Sequence, residues 1–224
     1  MSTQTPASSD TAVEWDAAEL LRLGSATLYE ASGLDCYLDP GFRPAWPGAA
    51  MVGRALPVLA AEGDNLALHH ALAAASPGDV LVIDGGRGEF GYWGEVMSVA
   101  AQARGVCGLV IDGGVRDTVQ LENLGFPAFS SSISIRGTIK AWPGVVGEPV
   151  TLRGRPVHRG DLVVADRDGV AVLPVAAVEA TIAEARRRAN KEVLFMKRLR
   201  DGELTLDLYD FRAIGASNME CDNE

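Results

Sequence analysis

Short apolar runs closed by glycine dominate the middle of the chain. Residues 80–83 (Val-Leu-Val-Ile) and 109–111 (Leu-Val-Ile) are each followed by Asp-Gly-Gly, at residues 84–86 and 112–114. Runs of that length before a turn signal predict buried strands ending in tight loops. Between them Val96, Met97, Val99, Ala100 and Ala103 recur at helical spacing, predicting a helix that packs one broad face and ends at Gly105. Strand, helix, strand at this length is a βαβ unit, with parallel strands and a right-handed crossover.

Similar patterning extends on both sides. Residues 1–12 are small and polar and read as a tail. Residues 14–23 read as a helix and residues 25–32 as another. A Pro- and Gly-rich segment, 33–48, then wraps the surface ahead of a strand at 51–59. Asp64 is placed to cap a helix over 65–75, which Ser76-Pro77-Gly78 terminates. Past the βαβ unit, residues 118–124 suit a short helix and 126–130 a strand. Alternation over 143–155 marks exposed β structure, and 161–166 with 169–173 form a hairpin around Arg167-Asp168-Gly169. A helix over 175–200 carries an apolar stripe at Val178, Ile182, Ala185, Ala189, Val193 and Met196, and Gly202 stops it. No composition break marks a second domain, which leaves one α/β domain over 13–212 and a C-terminal tail over 213–224.

Composition narrows the class. At 224 residues, 47% hydrophobic, with 25 Gly and 6% aromatics, the chain suits an aliphatic core with many tight turns. The net charge of −10 disfavours a nucleic-acid surface, because phosphate binding needs clustered Lys and Arg. The one basic cluster, Arg186-Arg187-Arg188, reads as a solvated helix face. Cys36, Cys107 and Cys221 form no CxxC pair, and neither a signal peptide nor a membrane span is visible, so a reducing cytoplasm is the expected setting.

In a βαβ unit both strands end at one sheet edge, and the helix starts there too. Glu95, the first-turn amides of Val96 and Met97, and the loop carrying Arg116 and Asp117 should therefore converge where open α/β sheets bind ligands. Two carboxylates suit a hard cation that keeps several waters, Mg²⁺ or Mn²⁺. Arg116 and free amides at a helix start suit a carboxylate. The pattern points to an anionic acid chelated to a metal.

Gly94-Glu95, then 20 residues, then Arg116-Asp117 resembles the acidic-x20-Arg-Asp signature of the class II pyruvate aldolases. Those enzymes act on 4-hydroxy-4-methyl-2-oxoglutarate and 4-carboxy-4-hydroxy-2-oxoadipate, and their family also holds the regulators of ribonuclease E activity (RraA-like proteins). The likeness covers roughly residues 15–212. It runs through Gly63-Asp64-Asn65, His70, Pro77-Gly78-Asp79, Phe129-Ser130, Gly137-Thr138-Ile139-Lys140, residues 160–166, Asp168-Gly169-Val170 and Gly202-Glu203-Leu204. It implies an αββαβα sandwich of the swivelling β/β/α type around the central βαβ unit, assembled as a homotrimer or a homohexamer with sites between subunits.

The same resemblance implies roles. Asp117 would bind the metal directly, and Glu95 through water, although Glu here is one methylene longer than the Asp of related aldolases. Arg116 would contact the pyruvyl end of a small anionic 2-oxo acid and lower the pKa of a nearby water. Lys140 and His70 match positions near the pocket. Glu192 would reach a neighbouring subunit's metal, with Glu184 and Glu203 as lesser candidates. Each has a plainer reading: Asp117 as the N-cap of the next helix, Glu95 as a charge favouring the helix dipole, Arg116 as a salt-bridge partner, Lys140 as an exposed strand residue and Glu192 as a solvated carboxylate. His69 reads as a surface residue, and without HxxxH spacing the two histidines do not suggest zinc. Asp84 and Asp112 most simply tie down Gly turns. No Lys stands in an apolar context prepared for Schiff-base chemistry. The implied activity is metal-dependent retro-aldol release of pyruvate, with oxaloacetate decarboxylation as a side reaction. A ribonuclease regulator, or a lyase for another 2-oxo acid, are the alternatives.

Overall fold

Alternation within the central strands feeds two cores, one on each face of a sheet. The computed structural model describes residues 14–212 and residue 214. The tail expected at 1–12, and all of 213–224 except residue 214, lie outside the described residues. Helices α1 (Ala17–Leu23) and α2 (Ser25–Ser32) come first, then strands β1 (Arg43–Pro44) and β2 (Met51–Leu59), α3 (Leu66–Ala74) and β3 (Asp79–Trp93). Next come α4 (Glu95–Ala103), β4 (Gly108–Val115), α5 (Thr118–Leu124) and β5 (Ala128–Ile133). The short strands β6 (Val145–Val146), β7 (Val150–Leu152) and β8 (Arg155–Val157) precede β9 (Leu162–Ala165) and β10 (Val170–Leu173). A 3-10 turn (Val175–Ala177) then leads into α6 (Val178–Arg200) and α7 (Thr205–Leu208).

The main sheet runs β1-β5-β4-β3-β2-β9-β10, with β6 also paired to β2. Strands β2, β3, β4 and β5 are parallel neighbours, while β9 and β10 close one side antiparallel. Leu81, Ile83, Leu109 and Ile111 point to the face that holds α3, α4 and α5. Val80, Val82 and Val110 point to the other, where the β7–β8 hairpin and Phe42 cover them. Burial on both faces explains why these strands read as continuous apolar runs. Helices α1, α2 and α6 make a third cluster against Val52, Leu162, Val164 and Leu173.

Several expectations need correction. The central strands do not end at Asp-Gly-Gly. β3 continues through the glycine-rich stretch to Trp93, and Gly88, Gly91 and Trp93 pair across register shifts with consecutive Gly113, Gly114 and Val115. Missing side chains permit this. A Cβ on Gly85 would stand 2.8 Å from the Asp112 carbonyl oxygen, and one on Gly114 would stand 2.5 Å from that of Phe90. The extra residues are bulges that a strand with β-carbons could not hold so close.

The apolar face expected of α4 is also wrong. Met97, Ser98 and Ala101 are buried, whereas Val96 is 82% exposed and Val99 50%. The stripe on α6 packs only through Val178, Ile182 and Ala185, while Val193 and Met196 are exposed because the helix outruns the body that its first half covers. Its arginines are not merely solvated, since Arg186 pairs with Glu19 of α1 at 2.6 Å and Arg188 with Glu30 of α2. The alternation over 143–155 becomes three two- or three-residue strands. The strand expected at 126–130 begins two residues later, because Pro127 supplies no N–H to a ladder.

Asp84 does tie down a turn, accepting the Gly86 amide at 3.0 Å, but Asp112 does not. Its carboxylate, 4% exposed, is gripped by Arg153, with Nη2 at 2.9 Å and Nε at 3.2 Å from each oxygen. Arg153 sits in the β7–β8 turn and also bonds Asp39 at 2.8 Å. It pins the hairpin to the sheet. Arg153→Ala would leave the buried Asp112 carboxylate only the largely exposed Arg87, 3.5 Å away, and denaturant titration should show a loss of about 1–3 kcal/mol.

Candidate active site

At the carboxyl edge of β3 and β4 the chain turns twice into helices, at Gly94-Glu95 and at Arg116-Asp117. The last ladder contact there is the Arg116 amide on the Trp93 carbonyl at 2.8 Å. Asp117 has φ 57° and ψ 41°, the left-handed region, and its side chain makes no capping bond to its own helix. Its Oδ2 instead accepts the Glu95 amide of α4 at 3.1 Å, and the Arg116 Nε lies 3.8 Å away. The plain N-cap reading of Asp117 is thereby overturned. The side chain reaches across to the neighbouring helix and remains 39% exposed.

Gly94 makes the crossing possible. A Cβ on Gly94 would collide with Asp117 Oδ2 and stand 3.1 Å from Arg116 Cγ. Gly91 does the same for the rest of the arginine, since a Cβ there would lie 3.1 Å from Arg116 Cδ. The helical bonds of α4 begin with the Ser98 amide on the Gly94 carbonyl. The amides of Val96 and Met97 therefore have no acceptor inside the helix, as in any first turn. The Val96 side chain is exposed and that of Met97 buried, so these two residues offer the site their backbone.

Residues outside the expected site hold this edge in place. The Trp93 indole donates to Ser98 Oγ at 2.7 Å, and that hydroxyl donates to the Gly94 carbonyl at 3.0 Å, fixing the first turn of α4. The buried Tyr92 hydroxyl donates to the Gly85 carbonyl at 2.8 Å and accepts the Gly63 amide at 2.7 Å. Asp64 accepts the Leu66 amide at 2.8 Å, starting α3 as expected, and its other oxygen takes the amides of Ala141 and Trp142. Burial pushes the Asp64 carboxyl up, but these three donors outweigh it and hold it below the ordinary carboxylate range. Only the Asp-Asn pattern at 64–65 hinted at such a hub. The indole–hydroxyl pair left no local signal.

The other expected residues are placed as follows. The Glu95 carboxylate is exposed at the start of α4, and the bond to Asp117 runs through its amide. Lys140 is exposed in the loop that Asp64 holds, near enough to help lower both Asp64 and His69. His69 and His70 are both exposed on α3, and His69 is the one that partial burial and then Lys140 hold below the ordinary imidazole range. Glu192 lies on α6, 2.9 Å from Arg188, on a helix that packs against α1 and α2. Glu184 pairs with Arg187, and Glu203 with Arg198.

Among the described residues no three His, Cys, Asp or Glu side chains gather as a metal cage. What the edge offers is one exposed carboxylate held by a backbone amide, a second at the next helix start, and an arginine. That donor set fits a hard cation, which commonly takes one or two carboxylates and keeps its remaining waters.

The family described as RraA-like, Aldolase/RraA, matches residues 16–172, and the chain belongs to it. A protein of Halalkalibacterium halodurans named "Putative 4-hydroxy-4-methyl-2-oxoglutarate aldolase" is 34% identical over 173 residues, covering 77% of this chain and 82% of that one. An uncharacterized protein from Pseudomonas syringae pv. tomato superposes with TM-score 0.72 at 28% identity, covering 84% of this chain and 92% of its own. Streptomyces coelicolor RraAS2, described as an unusual member of the RNase ES inhibitor RraA family, superposes with TM-score 0.70 at 28% identity, over 81% and 96% of the two chains. The expected RraA-like fold is therefore the one observed. Among the described residues no helix is long and apolar enough to cross a membrane.

Gly94→Ala should expel the Asp117 carboxylate from its place over α4 while leaving the sheet intact. The Glu95 amide, having lost its acceptor, should then exchange its hydrogen about 10-fold faster or more, the worth of the lost bond, with an unchanged circular dichroism spectrum.

Proposed function

We propose that this protein is a divalent-metal-dependent carbon–carbon lyase that cleaves a 4-hydroxy-2-oxo di- or tricarboxylic acid to pyruvate and a second 2-oxo acid. The observation that carries the reading is Asp117. It is a non-glycine residue in the left-handed region, beside an arginine and two helix-start amides, and groups of these kinds suit a cation next to a carboxylate. Family membership and a relative named for this activity support it.

Asp117 would hold Mg²⁺ or Mn²⁺, with Glu95 joining it directly or through water. The cation's contribution is Lewis-acid stabilisation of charge developing on the 2-oxo oxygen. Arg116 and the amides of Val96 and Met97 grip the C1 carboxylate and hold the C3–C4 bond in place for cleavage. A base takes the C4 hydroxyl proton, the C3–C4 electron pair stays with the pyruvyl half as an enolate, and a water kept ionisable by Arg116 returns a proton to C3. Oxaloacetate decarboxylation leaves the same enolate and is the expected side activity. Lys140 and His70 are assigned to the substrate's far end.

The site is proposed to be shared in a homotrimer or homohexamer, with Glu192 of one subunit completing a neighbour's metal shell. Large apolar side chains lie bare on both surfaces that such an assembly would use: Val96, Val99 and Val119 beside the site, and Val193, Leu194 and Met196 on the outer half of α6. Patches of that kind are normally covered by a partner. They also favour one other reading, a protein-binding regulator like the RNase inhibitor relative.

Pyruvate release from a panel of 4-hydroxy-2-oxo acids under Mg²⁺ separates the two. Turnover should vanish after exhaustive chelation and return with the cation. Asp117→Ala should lower kcat on the order of 100-fold or more in a folded protein. Turnover unaffected by both would eliminate the metal reading. Mixing Glu192→Ala with Asp117→Ala subunits should restore part of the activity, because a hybrid interface contains one intact set. Verified mixed oligomers without recovery would rule out the shared site.

A further inference from the structure

The Asp117 carboxylate meets its neighbours through one oxygen. Oδ2 accepts the Glu95 amide at 3.1 Å and lies 3.8 Å from Arg116 Nε, whereas Oδ1 makes no hydrogen bond or ion pair among the described residues. Oδ2 is also the oxygen that lies over Gly94, where a Cβ would collide with it.

That contact closes a ring. The Glu95 amide belongs to the same peptide unit as the Gly94 carbonyl. The carbonyl accepts the Ser98 hydroxyl at 3.0 Å, and the hydroxyl accepts the Trp93 indole N–H at 2.7 Å. Trp93 holds the other side as well, since its carbonyl accepts the amide of Arg116, one residue before Asp117, at 2.8 Å. Trp93 and Ser98 are wholly buried, and the indole stacks on Phe126. Each bond in such a chain polarises the next, so a donor on the Gly94 oxygen makes the N–H of that peptide a better donor to Asp117. A ring anchored in the core thus ends on one oxygen of an exposed carboxylate.

We propose that Trp93 and Ser98 are positioning residues for Asp117: through the Gly94–Glu95 peptide they hold Oδ2 at the start of α4 and leave Oδ1 to bind the cation alone. The cation half rests on the metal-dependent reading above. Two variants break the ring at different bonds. Ser98→Ala removes the hydroxyl, and Trp93→Phe keeps a ring stacked on Phe126 and removes the N–H. In the cation-free protein each should speed hydrogen exchange at the Glu95 amide about 10-fold, the worth of a weakened bond to a charged group, while the amides of β4 keep their rates. Calorimetric titration with Mn²⁺ should show affinity lowered roughly 10- to 100-fold in both, the usual effect of losing a group that orients a metal ligand. In the wild type, saturating Mg²⁺ should leave the Glu95 amide protected, because Oδ2 stays with it. A Glu95 amide that exchanges at the wild-type rate in both folded variants would overturn the relay. Loss of its protection when Mg²⁺ is added would overturn the assignment of Oδ1. A wild-type protein that binds neither cation would overturn the cation half together with the lyase reading, and the exchange rates without cation would still decide the relay.

Discussion

Asp117 keeps a backbone conformation that a residue with a Cβ adopts at a cost of about 1–3 kcal/mol. The bond it accepts from the Glu95 amide is a charge-assisted one, worth about 1.5–3 kcal/mol. The two are of the same size, so the turn is tenable only while the carboxylate is held at the neighbouring helix. Asp and Asn tolerate this region better than most residues. The arrangement therefore ties the conformation of one loop to the position of another, and the candidate site is where they meet. An N-cap on its own helix would have made Asp117 a local structural residue. Reaching across to α4 makes it a link between two strand ends.

The sheet beneath supplies the rigidity that this link requires. Its central strands are covered on both faces, and the bulged run of β3 keeps contact with β4 past the point where the apolar runs stop. Trp93 lies at the end of that run, fully buried and stacked on Phe126 with centroids 5.8 Å apart. Its indole fixes Ser98, which fixes the Gly94 carbonyl. A buried aromatic core and an exposed polar edge are thus one residue apart, and the α4 amides inherit the order of the core.

The single chain leaves chemistry and surface unfinished in the same places. Among the described residues no carboxylates gather as a metal cage, and the helix faces beside Glu95 and Asp117 carry exposed apolar side chains. The outer half of α6 projects its own apolar side chains, and Glu192 stands among them. Both facts have a common explanation if copies of the chain complete one another.

The sequence by itself determined the βαβ centre, the β9–β10 hairpin, the bounds of α2, β2 and α5, and the meeting of Glu95, Arg116 and Asp117. Each follows from local information: side-chain period, turn residues, and the rule that parallel strands end at one edge. Tertiary structure alone decided what depends on which surfaces face each other. The apolar residues of α4 and outer α6 satisfy helical periodicity whether the partner is the chain's own sheet or another molecule, so periodicity could not show that they are bare. The bulges of β3 read as a loop, because glycine there signals close backbone approach as readily as a turn. Asp112 looked like its counterpart Asp84 until Arg153, 41 positions away, proved to hold it. The alternative of Asp117 as a cap on its own helix stayed open because sequence shows the acceptor and not the donor. In each case the missing information was the identity of a neighbour distant along the chain.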